Sequence, residues 1–304
     1  MASIPFALRL AFSLGWTYDG GACLRGKGPV MVAVGKLSTP SASHTVEGAN
    51  AGLNVAVFDP ESPAALPPVF LIHGFASSIE LNWVKSGWVA ALNRAGRRVI
   101  SVDLPGHGHS TAPYDLDSYT PGKIRADLLQ ILFDQGVVPL RENNPASGVD
   151  LVGYSLGSRL AWEFGATQPE LVRKMVLGGP NPEDPLAEFD LAAAQEFLND
   201  GTPIADESTR WLLDMAQLIP SNDIFALLAL IQAIKLEPFE PADAVPKMPI
   251  LLVAGDLDER AKSMSRLAEL SGRAEQHVIP GRTHNNAVTS RDFKEAAISF
   301  LAAP

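Results

Sequence analysis

From about residue 30 onward, short apolar and β-branched runs alternate with longer stretches whose apolar residues recur every three or four positions. That alternation is the pattern of a mostly parallel sheet with helices on both faces. Eight strands are predicted, over 30–34, 53–58, 69–72, 98–102, 150–152, 174–177, 250–253 and 275–279. The first two runs leave no room for a helix between them, so they predict an antiparallel entry into the sheet, followed by a Pro-rich surface connection over 60–68. Helical periodicity falls at 83–95, 121–135, 158–167, 261–270 and 291–301. The expected fold class is α/β, with an eight-stranded mostly parallel sheet.

One segment breaks the alternation. Residues 181–246 carry no strand signal, open on a turn-rich stretch and then read as helical, which predicts a helical cap inserted into a core made of 30–180 and 247–304. The cap holds thirteen Asp and Glu against two basic residues, Arg210 and Lys235, so it accounts for essentially all of the chain's net charge of −10. Its run 224–234 is apolar on nearly every face and too short to cross a bilayer, so it is expected to be buried, against either the body or a substrate cavity. Residues 1–29 form an N-terminal apolar extension. Within it, 4–16 is too short to span a membrane and lacks a basic leader and a cleavage site. A helix packed on the body is the favoured reading there, ahead of an interfacial membrane anchor or a dimer contact.

Composition narrows the class. With 46% hydrophobic and 19% charged residues, the 304-residue chain is an ordinary globular protein with ample material for a core. The single cysteine, Cys23, can form no internal disulfide and points to a reducing compartment, the cytoplasm. Negative charge without clustered Lys and Arg argues against nucleic acid as a partner.

The chemistry centres on Gly153-Tyr154-Ser155-Leu156-Gly157, which follows the predicted strand 150–152 and precedes the predicted helix from 158. A serine on a sharp strand-to-helix turn exposes its Oγ, small neighbours let the turn pass close to other backbone, and the helix N-terminus favours developing negative charge. With this context the chain resembles the α/β hydrolase superfamily, specifically a serine esterase or lactonase branch with a helical lid, over nearly the whole of 30–301. The resemblance implies a nucleophilic Ser155. It also implies an oxyanion hole formed by the backbone N–H groups of Phe75, in His73-Gly74-Phe75, and of Leu156. Asp103-Leu104-Pro105-Gly106-His107-Gly108-His109-Ser110 resembles a turn common in the family and is a fold marker more than a catalytic element. The spacing of His107 and His109 places no third metal ligand, so neither a metal nor a cofactor is implied.

The resemblance further implies an acid and then a histidine, in that order after the serine, on loops at the carboxyl ends of strands. His284, in Pro280-Gly281-Arg282-Thr283-His284, takes the place of the general base, whereas His44 and His277 read as surface or packed residues. After the seventh predicted strand, Asp256, Asp258 and Glu259 compete as the acid. Family spacing favours Asp258, leaving Asp256 as a turn cap. A serine nucleophile disfavours the family branches that attack through aspartate. The expectation is therefore hydrolysis of a small, neutral, largely apolar ester, lactone or thioester. A lyase or C–C hydrolase using the same three residues is the alternative, with a non-catalytic receptor behind it.

Overall fold

The computed structural model describes residues 52–304, together with strand backbone at 18–19, 22–23 and 42–46. The chain divides into two units, Met1–Thr39 and Pro40–Pro304. In the first unit, β1 (Tyr18–Asp19) pairs antiparallel with β2 (Ala22–Cys23). The predicted strand 30–34, the apolar stretch 4–16 and the side chains of Cys23 and His44 lie outside the described residues.

The second unit is built on one eight-stranded sheet. Its strands in chain order are β3 (Ala42–Val46), β4 (Leu53–Phe58), β5 (Val69–Ile72), β6 (Val99–Val102), β7 (Val149–Tyr154), β8 (Val172–Gly178), β9 (Ile250–Gly255) and β10 (Ala274–Ile279). Across the sheet they lie in the order β10-β9-β8-β7-β5-β6-β4-β3. β4 runs antiparallel to both β3 and β6, and the other neighbours are parallel. The antiparallel entry is thus present, but the strand paired with β4 is Ala42–Val46.

The central strands are buried on both faces and therefore read as continuous apolar runs rather than alternating ones. Phe70, Ile72, Ile100 and Leu151 face one apolar layer, and Val69, Leu71, Val99 and Val152 face the other. The second layer is closed by α1 (Trp88–Arg94) and α9 (Arg291–Ala302), through Trp88, Leu92, Phe293 and Leu301. The first is closed by α2 (Pro121–Asp134) and α3 (Leu156–Thr167). The helix read over 83–95 is two pieces. A π-helical turn, Ile79–Val84, is separated from α1 by Gly87, whose φ of 84° breaks the helix.

Between β8 and β9 the chain forms α4 (Leu191–Asp200), α5 (Glu207–Gln217) and α6 (Ile224–Leu236). Each begins at an aspartate whose carboxylate accepts a helix N–H: Asp190 from Ala193, Asp206 from Thr209, Asp223 from Phe225 and Ala226. Part of this insertion's negative charge therefore serves as helix caps, where it also favours the helix dipole. The apolar run in α6 is buried, with Leu227, Leu230, Ile231 and Ile234 inside the same layer as α2 and α3. Short elements α7 (Met264–Ser271) and α8 (His284–Ala287) flank β10. Among the described residues no helix is long and apolar enough to cross a membrane.

Candidate active site

Ser155 stands between β7 and α3 with φ 54° and ψ −114°. A non-glycine residue in this region is strained, by about 1–3 kcal/mol, and persists only where its surroundings impose it. Here they do. A Cβ on Gly157 would lie 2.0 Å from the Ile72 carbonyl oxygen, and one on Gly153 would lie 2.3 Å from the Gly157 carbonyl oxygen. Glycine at both positions lets α3 start directly against β5 and holds the turn tight.

His284 begins α8, just beyond β10. Its Nε2 is 2.9 Å from Ser155 Oγ, and its Nδ1 is 2.8 Å from Asp258 Oδ2. Asp258, on the loop after β9, is 2% exposed. The predicted serine, histidine and acid are therefore brought into one hydrogen-bonded line. Asp256 takes a different place: its Oδ1 accepts the Gly281 N–H at 2.6 Å, tying the loop after β9 to the loop before His284. A carboxylate at Nδ1 fixes the imidazole with Nδ1 protonated and leaves Nε2 to accept from the serine hydroxyl.

Tyr154 was not singled out in the sequence, yet it braces this line. Its hydroxyl donates to the His284 carbonyl at 2.5 Å, and its ring lies against the His284 ring at 5.6 Å between centroids. Burial raises the pKa of this phenol, so the hydroxyl stays a donor.

Phe75 and Leu156 border the same space as Ser155. Leu156 is the first residue of α3, so its N–H has no acceptor within the helix. The loop carrying Phe75 is held by two buried histidines. His73 Nε2 accepts the Leu104 N–H at 2.9 Å while Nδ1 meets the Gly74 carbonyl at 2.8 Å. His107 Nε2 accepts the Ala76 N–H at 3.0 Å while Nδ1 meets the Pro105 carbonyl at 2.8 Å. Burial lowers the pKa of both rings, that of His107 to about 3, with His73 next to it adding to the effect. Both are neutral, with Nδ1 donating and Nε2 accepting. Asp103 completes the brace by accepting the N–H of Ile79 at 2.7 Å and of His109 at 2.9 Å. The 103–110 turn thus acts on the site through the loop it supports. Among the described residues no group of three His, Cys, Asp or Glu side chains converges as a metal site would require.

Two spaces meet at Ser155. The outer one is a trough of about 270 Å³ running past Trp211, Leu212, Met215, Ile219 and Val288. The inner one is smaller, about 40 Å³, and reaches Arg159, Asp184 and Phe239. Arg159, on α3, donates to Asp184 before α4 and, at 2.5 Å, to the Glu237 carbonyl after α6; it also lies 5.5 Å above the Phe239 ring. One guanidinium therefore joins both ends of the helical insertion to the helix that follows Ser155.

A family model described as alpha/beta hydrolase fold matches residues 67–213. In its sheet order and its strand-to-helix serine turn the chain has the α/β hydrolase fold that this model describes. Among curated relatives, a putative 2-succinyl-6-hydroxy-2,4-cyclohexadiene-1-carboxylate synthase of Bacillus subtilis is 36% identical over 132 residues, 43% of this chain and 42% of that protein. Epoxide hydrolase 3 of Mus musculus is 27% identical over 125 residues, 41% of this chain and 30% of that one. The chain thus matches less than half the length of these relatives. Among solved structures, an epoxide hydrolase from Vigna radiata and a thermophilic esterase from Thermogutta terrifontis each superpose with a TM-score of 0.65 at 20% identity, covering 86% of this chain and 97% of theirs. These likenesses concern the fold.

Proposed function

We propose that the protein is a serine hydrolase that cleaves a carboxylic ester, lactone or thioester of a small, neutral, largely apolar substrate through an acyl-enzyme. The observation that carries this reading is the hydrogen-bonded line from Ser155 Oγ through His284 to Asp258, on a serine held at φ 54°. Ser155 Oγ attacks the carbonyl carbon as its proton passes to His284 Nε2, and the oxyanion forms within reach of the Phe75 and Leu156 N–H groups. His284 returns the proton to the departing alcohol or thiol. Water, deprotonated by the same nitrogen, then releases the acid. Asp258 stabilises the imidazolium throughout.

Resemblance to epoxide hydrolases does not carry their chemistry to this elbow. A serine that opened an epoxide would form an ether, which has no carbonyl for water to attack, so the enzyme would not turn over. The second reading, a lyase using the same three residues, draws on the Bacillus subtilis relative, whose name describes a carboxylate compound. Charge around this site disfavours an anionic substrate. Arg159 is already paired with Asp184 and Glu163, and at the outer mouth beside His284 the acids Glu207, Asp214 and Glu259 outnumber Arg210, which is itself paired with Asp214.

In this account residues 181–246 act as the cap, with Trp211 and Leu212 of α5 roofing the nucleophile. Small-molecule substrates are its partners, with no cofactor or nucleic acid involved. The lone Cys23 supports placement in the cytoplasm. Hydrolysis of a 4-nitrophenyl ester series of increasing acyl length, beside Ser155→Ala, tests the proposal. Length-dependent turnover abolished in the variant is expected, whereas equal rates in both proteins, or none in either, would refute it.

A further inference from the structure

Besides Tyr154, Ser155 and His284, the outer trough is bordered by a further polar group whose direction the fold fixes. Asn82 sits in the π-helical turn Ile79–Val84, a distortion that occurs frequently at functional positions. Its Oδ1 accepts the Gly74 N–H at 2.9 Å. Because a backbone N–H can meet only the oxygen of the amide, the NH₂ end is turned away from Gly74. Asn82 borders the trough together with Ser155 and His284, and among the described residues its amide makes one side-chain hydrogen bond, that of Oδ1 with Gly74. A Cβ built on Gly74 would lie 3.3 Å from Ser155 Cβ and 3.7 Å from Asn82 Oδ1, so those two atoms are no more than about 7 Å apart. Ser77 and Asn285 also border the trough, but no protein partner fixes either side chain among the described residues.

We infer that the Asn82 amide is a substrate-recognition donor, and that the preferred substrates carry a second acceptor oxygen close to the scissile ester. This rests on the ester-hydrolase reading and names its substrate class more narrowly: oxygen-substituted esters and lactones, such as hydroxy, keto or alkoxy derivatives. The surrounding walls, Trp211, Leu212, Met215, Ile219 and Val288, are apolar. An oxygen entering there takes the place of water on Asn82, whereas a plain alkyl substrate displaces that water and supplies no acceptor.

The test compares isosteric substrates that differ by one oxygen. One pair, 4-nitrophenyl methoxyacetate and butyrate, carries it in the acyl group; the other, 2-methoxyethyl acetate and butyl acetate, carries it in the alcohol. For each pair the kcat/KM ratio of oxygenated to plain ester is measured in wild type, Asn82→Asp and Asn82→Leu. Asn82→Asp keeps an acceptor for Gly74 but replaces the donor with a carboxylate oxygen; Asn82→Leu removes both. One neutral hydrogen bond corresponds to roughly a 3- to 10-fold change, so at least one pair should show its ratio falling that far or further in both variants. A residue that only braces the loop would slow both members of a pair equally, and ratios unchanged in both pairs would overturn the inference. A wild-type protein inactive on all four esters would instead refute the ester reading, and this inference with it.

Discussion

Replacing His107 with phenylalanine preserves the shape of a buried ring that sits 5.1 Å from His73 and edge-on to Phe75, but removes both of its hydrogen bonds. The Ala76 N–H and the Pro105 carbonyl then lose their partners in a buried setting. Each orphaned group costs about 1–3 kcal/mol, giving an upper range near 6 kcal/mol, while the apolar ring gains transfer free energy that offsets part of this. A loss of about 2–4 kcal/mol is expected, a large share of the roughly 5–15 kcal/mol that stabilises a typical domain. Because Ala76 follows Phe75, kcat should fall with little change in KM if the Phe75 N–H serves the transition state. Two further variants separate the effects. His107→Gln can place an acceptor near the Nε2 position and should recover much of kcat. His107→Asn can reach Pro105 but not Ala76, and should recover stability more than kcat. Urea unfolding and steady-state ester hydrolysis provide the readouts. A phenylalanine variant within about 0.5 kcal/mol of wild type, the ordinary range of an inconsequential substitution, with unchanged kcat would refute the brace.

The same histidines make the fold acid-labile. His107 binds its proton near pH 3 in the folded state and near 6.5 when unfolded, so between these values the unfolded chain holds more protons and stability falls as pH falls. The slope from His107 reaches about 1.4 kcal/mol per pH unit, and His73 acts in the same direction. Urea midpoints measured from pH 7 to pH 4 should decline more gently in His107→Gln than in wild type. Asp258→Asn should lower kcat by about three to four orders of magnitude, as loss of the acid does in the Ser-His-Asp template. Asp256→Ala, which removes only the acceptor for Gly281, should cost about 1 kcal/mol of stability and leave kcat within severalfold; a larger kcat loss in Asp256→Ala than in Asp258→Asn would reverse the assignment of the acid. Arg159→Met leaves Asp184 buried without its counter-ion, and should destabilise by about 3–5 kcal/mol in thermal or urea unfolding.

The sheet was legible in the sequence wherever burial left a simple trace. β5 and β9 are apolar throughout, and β7 and β8 are so beyond Asp150, Arg173 and Lys174 near their starts, so their runs stand out without any knowledge of their neighbours. β3, Ala-Ser-His-Thr-Val, escaped notice because it is the edge strand, paired only with β4, and edge strands need no continuous apolar run. The π-helical turn was merged into α1 because Trp83 and Trp88 are both buried and suggest one helix, while Gly87 between them gave the break. Ser155, His284 and Asp258 could be named because the order of motifs along the chain marks them. His73, His107 and Asn82 could not be given roles, since each acts through a backbone N–H in a different segment or turn: Leu104, Ala76 and Gly74. A polar residue within an otherwise buried turn was the available signal, but no partner could be assigned to it before the loops were placed.

The most direct test of the central claim is mass-spectrometric mapping of a fluorophosphonate label on the full chain, beside His284→Ala. One modified residue, Ser155, is expected, with labelling slowed by orders of magnitude in the variant, because Nε2 no longer takes the serine proton. A folded wild-type protein that is unlabelled, or labelled at another residue, would contradict it.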